Sequence, residues 1–360
     1  MARKLAVVLM NLGGPLARED IYPYLLNFFR DGNIIGAPRP VREILARYIA
    51  ARRSKGAALE AYSALGGRSP LLDNTRAQQQ ALEAVLKKNI PQGFTAVRVF
   101  TTMRYWHPLS DETVAEVLDY NPAHVVLLPL YPQYSTATVK SSIEDWQRAA
   151  WDQDLDCDMT PVCCWPFQDG FIQASAGLIK TAYAAAKKKN PNLPYRLLFS
   201  AHGLPERTIK KGDPYQWQCE ESARKIAAAT EIKMLDWEIC YQSRVGPMKW
   251  IGPSTEEALE KTAKDRKAVL IYPHAFVSEH VETLVEIEEE YRAFAEEKGI
   301  RDFVRVETVG TDPRFIDGLR EIVHFVTDQR PQPALYCGHA RGRICPEKFK
   351  NCGYQILGVK

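Results

Sequence analysis

Short apolar runs alternate with longer amphipathic stretches along almost the whole chain. The runs at 5–12, 96–102, 124–130, 196–200, 267–272 and 302–308 are too brief for helices and rich in Val, Ile, Leu and Phe, which predicts strands. Val-Val-Leu-Leu128 has no polar position, so both its faces are expected inside, as in a parallel sheet covered by helices. Apolar residues recur at helical spacing over 74–88, 110–118, 141–151, 169–188, 216–229, 256–264, 281–298 and 312–327. This alternation predicts a doubly wound α/β fold of the flavodoxin or Rossmann kind, with parallel sheets.

The pattern also repeats. The run at 124–130 ends in Tyr131-Pro-Gln-Tyr-Ser135, and the run at 196–200 ends in Ala201-His-Gly-Leu-Pro205. Each is a strand running into a polar, Pro-containing loop at its carboxyl end, where open α/β sheets gather their ligands. A length of 360 residues accommodates two domains of ordinary size. The expected division is 1–140 for one α/β domain and 141–311 for a second, similar one, with 312–330 returning to the first. Residues 331–360, with Pro, Gly, Arg and Cys and no apolar period, form an appendage.

Composition then narrows the class. Apolar residues at 46% and charged residues at 25% are ordinary for a globular protein, which removes disorder, collagen and coiled coil. A net charge of +3 is too small to imply a nucleic-acid footprint, although it leaves room for a local basic patch. No apolar run has the length of a spanning helix. Met1-Ala-Arg-Lys4 followed by six apolar residues imitates an export signal, but Asn11-Leu-Gly-Gly-Pro15 stands where a cleavage site would be. The expectation is therefore a first buried strand and a cytoplasmic protein whose eight cysteines serve as thiols or metal ligands.

Candidate chemistry sits in the loops. His202 follows a buried strand on a turn with Gly203 and Pro205. A second strand leads into Pro273-His-Ala-Phe-Val-Ser-Glu-His-Val-Glu-Thr-Leu284, which opens an acidic helix. Glu282, Glu286 and Glu290 are spaced so that their carboxylates share one face of that helix. Like charges so placed repel, and a row of them leading from His280 and Glu282 suits the passage of a divalent cation bound by oxygen and imidazole. Three further clusters complete the set: Cys240-Tyr-Gln-Ser-Arg-Val-Gly-Pro247, Met103-Arg-Tyr-Trp-His-Pro108, and Arg52-Arg53 with Tyr62 and Leu65-Gly-Gly-Arg-Ser-Pro70. Flat aromatic walls, cations at one edge and a His/Glu pair inside suit a large flat ligand carrying peripheral carboxylates.

These motifs, in order over about residues 5–330, closely resemble the ferrochelatase family. The resemblance implies insertion of ferrous iron into protoporphyrin IX to give protohaem, the last step of haem biosynthesis, in a cleft between two chelatase-type domains. It implies that His202 and Glu282 form the central pair and that His280, Glu286 and Glu290 extend the metal-facing track. Tyr131, Arg104 and Tyr105 would form the opposite wall, with Trp165 a further wall residue. Arg53, Tyr62, Ser69 and Tyr215 would hold the propionates, and Ile34 and Ile35 the apolar lip of the mouth. Insertion must remove two pyrrole protons and strip water from the metal, and bending the ring exposes its nitrogen lone pairs. Two assignments of His202 stay open, as proton acceptor or as first metal contact.

The tail carries Cys337, Cys345 and Cys352. Some ferrochelatases hold a [2Fe–2S] cluster on three tail cysteines and one from the body, and this tail resembles theirs with wider spacing. Where the family's fourth ligand falls, this chain has Thr136; Cys157, Cys163 or Cys164 would take its place, with Cys219 and His339 as further choices. A zinc site using His339 is the alternative. Ferrous iron enters as substrate. Because porphyrins reside in membranes, a peripheral contact with the cytoplasmic membrane is expected through Ile34–Ile35 and Tyr48–Ile49. Competing readings are a coproporphyrin-type chelatase and a porphyrin or haem carrier with a redox-sensing metal site. A nucleotide-binding oxidoreductase is disfavoured, because the first strand lacks the G-x-G-x-x-G spacing.

Overall fold

The structure, a computed structural model, describes residues 3–244, 248–328, 337 and 342–356. Eight strands occur among them: β1 (Lys4–Asn11), β2 (Ala96–Met103), β3 (His124–Pro129), β4 (Asp158–Pro161), β5 (Tyr195–His202), β6 (Trp237–Gln242), β7 (Ala268–Tyr272) and β8 (Phe303–Arg305). They form two parallel sheets of four, ordered β2-β1-β3-β4 and β6-β5-β7-β8. The second order repeats the first, strand for strand. This is the α/β architecture with two similar halves that the alternating pattern predicts.

The chain divides into two compact units. One runs to Trp165 and takes in Leu319–Ile344 and the stretch from Gly353; the other comprises Pro166–Gly318 and Cys345–Cys352. In the first, every residue of β3 is buried, as its uncharged sequence requires. Trp146, fully buried, anchors the core beside β3 together with Tyr134 and Ile143. Truncating such a side chain to Ala costs about 3–5 kcal/mol. In the second, Leu198, Val269 and Ile271 of the central strands pack on Ile287 and Tyr291.

Local sequence sets the ends of the helices. Ser254 caps Thr255–Lys264 by accepting from Glu257 N at 3.1 Å, while the Glu257 carboxylate takes the Ser254 amide at 2.6 Å. Three lysines close Asp169–Lys189, where cations oppose the helix dipole. Asp213 accepts the Tyr215 amide at 3.0 Å and so starts Tyr215–Ala229.

Several elements differ from the periodicity. β4 and β6 carry no continuous apolar run: β4 has two buried positions, and β6 begins on the half-exposed Trp237-Glu-Ile239. Their pairing comes from their neighbours rather than from their own pattern. Helices Ile21–Arg30, Arg39–Arg53 and Ala57–Ala64 add to Leu71–Lys88 between β1 and β2. The segment expected as one helix over 281–298 is a ten-residue π-helix, Glu282–Tyr291, followed by the α-helix Arg292–Glu297. No described helix is long and apolar enough to cross a membrane.

Candidate active site

In the second unit, β5 ends at His202 and β7 leads through Pro273-His274 to the π-helix. β5 and β7 are the two strands between which the sheet order changes direction, so both segments emerge at the switch point. His202 Nδ1 lies 2.7 Å from the Gly203 carbonyl and His280 Nδ1 lies 3.1 Å from the Ser278 carbonyl. A carbonyl only accepts, so each Nδ1 carries a proton, and the tautomer this selects has its lone pair at Nε2. Both Nε2 atoms face one carboxylate: His202 at 3.7 Å from Glu282 Oε1 and His280 at 3.4 Å from Glu282 Oε2. Three acceptors converge, an arrangement that favours a shared proton or a cation among them.

The rest of the acidic row is not uniform. Glu286 accepts from Ser243 N at 2.8 Å, Ser243 Oγ at 2.5 Å, Gln242 Nε2 at 2.9 Å and the Tyr291 hydroxyl at 3.0 Å. Glu290 carries no ion pair among the described residues, and burial together with the charges of Glu286, Glu289 and Glu256 raises its carboxyl above the usual range. His274 is fully buried and donates toward the Cys219 carbonyl at 3.1 Å; burial lowers it to about 4, so the ring is neutral. Tyr215 is buried, and its hydroxyl donates to the backbone carbonyl of His202 at 3.1 Å.

The first unit gathers its own polar cluster at the carboxyl ends of β1, β2 and β3. Asp31 is buried and accepts from the Tyr105 hydroxyl at 2.8 Å, Arg104 Nη2 at 3.2 Å and Ser141 Oγ. Arg104 also donates to Ser141 at 2.7 Å and stacks over the Tyr105 ring at 4.8 Å. Tyr131 is buried with its hydroxyl 3.3 Å from Ser142, and burial raises its phenol well above the ordinary value. Ser69 packs against Gly14, where a Cβ would stand 2.7 Å from the serine Cβ, so glycine is required for that approach. Tyr62 is buried beside Tyr24, and Arg53 is half-buried with no carboxylate partner among the described residues. Between Tyr62 and Ser69, Ser63, Gly66, Gly67 and Arg68 line an open cavity of about 460 Å³ together with Leu16, Ala17 and Arg18.

A family model described as Ferrochelatase matches residues 4–325. The chain belongs to the ferrochelatase family. A ferrochelatase of Hyphomonas neptunium is 45% identical over 365 residues, covering 100% of this chain and 97% of the relative. One from Caulobacter vibrioides (strain NA1000 / CB15N) is 47% identical over 331 residues, covering 92% of each chain. Among solved structures, "SirB from Bacillus subtilis with Fe3+" is similar at 11% identity and a TM-score of 0.49, covering 89% of this chain and 94% of that one.

For this member of the ferrochelatase family, several expected site residues stand in settings the motifs alone did not indicate. Trp165 is fully buried and donates its indole N–H to the Pro129 carbonyl at 2.9 Å, a core position. Ile34, Ile35 and Ile49 are half-buried, while Val41, Ile44, Leu45 and Tyr48 of the Arg39–Arg53 helix are exposed, Ile44 at 70% and Tyr48 at 64%. Of the tail cysteines, Cys337 lies with Cys163 and Cys164, all three buried and their sulfurs within 4.8 Å of one another. Cys345 and Cys352 belong to a tail segment packed in the second unit, where Gln218 Nε2 donates to Cys345 Sγ at 3.0 Å. Asn351 N bonds the Gly212 carbonyl there at 3.0 Å, and Gly212 adopts φ +98° with no room for a Cβ. Cys157 is half-buried, its thiol pushed up to about 11 by burial and by Asp158 and Asp156. His339 and 245–247 of the loop motif lie outside the described residues.

Four residues with marked contacts were not singled out from sequence. Asp31 and Ser141 are isolated polar residues without a motif, so nothing signalled them. Gln242 and Ser243 lay inside a recognised loop, but only the structure gives them partners.

Proposed function

We propose that this chain inserts ferrous iron into protoporphyrin IX, releasing two protons and leaving protohaem with iron still ferrous. The observation that carries the reading is the Glu282 carboxylate facing the Nε2 atoms of His202 and His280, each ring held in one tautomer by a backbone carbonyl. A neutral Nε2 accepts a pyrrole proton, and the adjacent carboxylate stabilises the imidazolium so formed. The same carboxylate attracts a dication and exchanges its water for oxygen and imidazole ligands. Glu290, raised by its acidic neighbours, extends the acidic face and suits a group that takes up and passes on protons. Arg53, with no carboxylate partner among the described residues, and the open cavity lined by Arg18, Ser63 and Arg68 support propionate binding by the first unit.

His202→Ala tests the reading. With ferrous iron under anaerobic conditions, the variant is expected to bind porphyrin, seen by quenching of its fluorescence, and to lose nearly all insertion, seen as an unshifted Soret band. Turnover like that of the unmodified chain would overturn it.

Two finer readings accompany the first. The three buried thiols of Cys163, Cys164 and Cys337 fit three of the four thiolate positions of a [2Fe–2S] cluster. Because insertion leaves iron ferrous, such a group would supply a structural tie between the Cys337 segment and the loop after β4. The Arg39–Arg53 helix carries five arginines and one glutamate beside its exposed apolar residues, which supports a peripheral contact with an anionic lipid surface.

A further inference from the structure

The geometry points to Gln242 and Ser243 as positioning residues that act through Glu286 to hold Glu282 against His202. The inference rests on the insertion site proposed above and assigns Glu286 a different role from that of a metal ligand. Gln242 ends β6 directly beside His202 in the sheet register and is fully buried. Its side-chain carbonyl accepts from Ser200 Oγ at 2.7 Å, and its amide donates to the Glu282 backbone carbonyl at 3.2 Å and to Glu286 Oε2 at 2.9 Å. Those partners fix which way the amide points, since a carbonyl and a carboxylate can only accept. Ser243 follows at φ +61°, a region non-glycine residues seldom enter. That conformation aims both its N–H and its hydroxyl at the Glu286 carboxylate, which the Tyr291 hydroxyl also meets.

The Glu286 carboxylate thus receives four donors, one for each of its lone-pair positions. A ligand for a passing cation would need some of these free. The contact between Glu286 and Tyr291 spans five residues, the hydrogen-bond spacing of a π-helix, so the same carboxylate also stitches the wide turn together. Glu282 opens that helix with its backbone carbonyl tied to Gln242. The distance from Glu282 to His202, 3.7 Å, is therefore set from β6 rather than by the acidic row itself.

The test is a double-mutant cycle on the full chain with Gln242→Leu, Glu286→Gln and both together, measured by anaerobic iron insertion. Each single variant is expected to lower kcat roughly tenfold, in line with the cost of a small misplacement. The double variant should lose little more than either one, with KM for ferrous iron within about twofold throughout, because residues acting as one unit are not additive. Hydrogen exchange of the 282–291 segment should quicken in all three. Losses that multiply in the double variant, or a large rise in iron KM for Glu286→Gln alone, would overturn the assignment. Should these variants fold poorly, Ser243→Ala removes only one donor and is expected to lower kcat about threefold with exchange quickened in the same segment; an unchanged kcat and unchanged exchange would count against the role. Failure of the unmodified chain to insert iron would instead sink the function, so the two failures are distinguishable.

Discussion

Removing one oxygen atom from Tyr215 separates two roles for that residue. The family resemblance makes it a propionate partner, but its hydroxyl donates to the His202 carbonyl at 3.1 Å and meets the Cys219 thiol as well. Tyr215 is 7% exposed, so water does not replace a lost partner. A neutral hydrogen bond contributes about 1 kcal/mol net, and a buried acceptor left unpaired costs about 1–3 kcal/mol. Tyr215→Phe should therefore destabilise the second unit by roughly 1–2 kcal/mol, which for a domain of this size lowers Tm by about 2–8 °C. If most of that energy appears as a misplaced imidazole in the transition state, kcat falls by roughly five- to thirtyfold, since 1.36 kcal/mol is a factor of ten. The assay is anaerobic iron insertion at varied porphyrin, with melting followed by near-UV circular dichroism. KM for porphyrin is expected to stay unchanged. A tenfold rise in porphyrin KM at constant kcat would refute the reasoning and return the hydroxyl to the substrate's carboxylate.

Two further outcomes follow from the finer readings. Cys163→Ser, Cys164→Ser and Cys337→Ser should each abolish the visible absorbance and the iron and sulfide content of the purified chain, while Cys240→Ser, in the core of the second unit, should leave them intact; a colourless unmodified protein would remove the cluster. Ile44→Glu with Tyr48→Glu should lower co-sedimentation with anionic lipid vesicles at least fivefold, because burying a large apolar side chain contributes about 1.5–3 kcal/mol. Insertion into detergent-dispersed porphyrin should be unaffected, and unchanged vesicle binding would refute the contact.

The sequence was most legible where a segment's own composition decides its state. β1, β3, β5 and β7 are buried almost throughout, so their apolar runs announced them. β4 and β6 were less legible, because an edge strand is covered on fewer sides and needs fewer apolar residues. The same distinction holds for the site. His202 drew attention as a histidine on the turn after a buried strand, and Glu282 as the first of three carboxylates at helical spacing, both of which are local patterns. Trp165 was expected as a wall residue through the family resemblance alone, and only the structure shows it buried with its indole N–H on the Pro129 carbonyl.

What the sequence determined alone is the α/β class, the repeated halves and the family. All of these depend on local burial or on the order of motifs along one chain. Tertiary structure decided the rest: the carbonyls that meet Nδ1 of His202 and His280, the π-helical winding of Glu282–Tyr291, the four donors gathered on Glu286, and the meeting of Cys337 with Cys163 and Cys164. Each depends on which atoms from distant segments come within hydrogen-bond or sulfur contact. Spacing along a chain places a carboxylate on a helix face, but only packing determines whether donors already surround it.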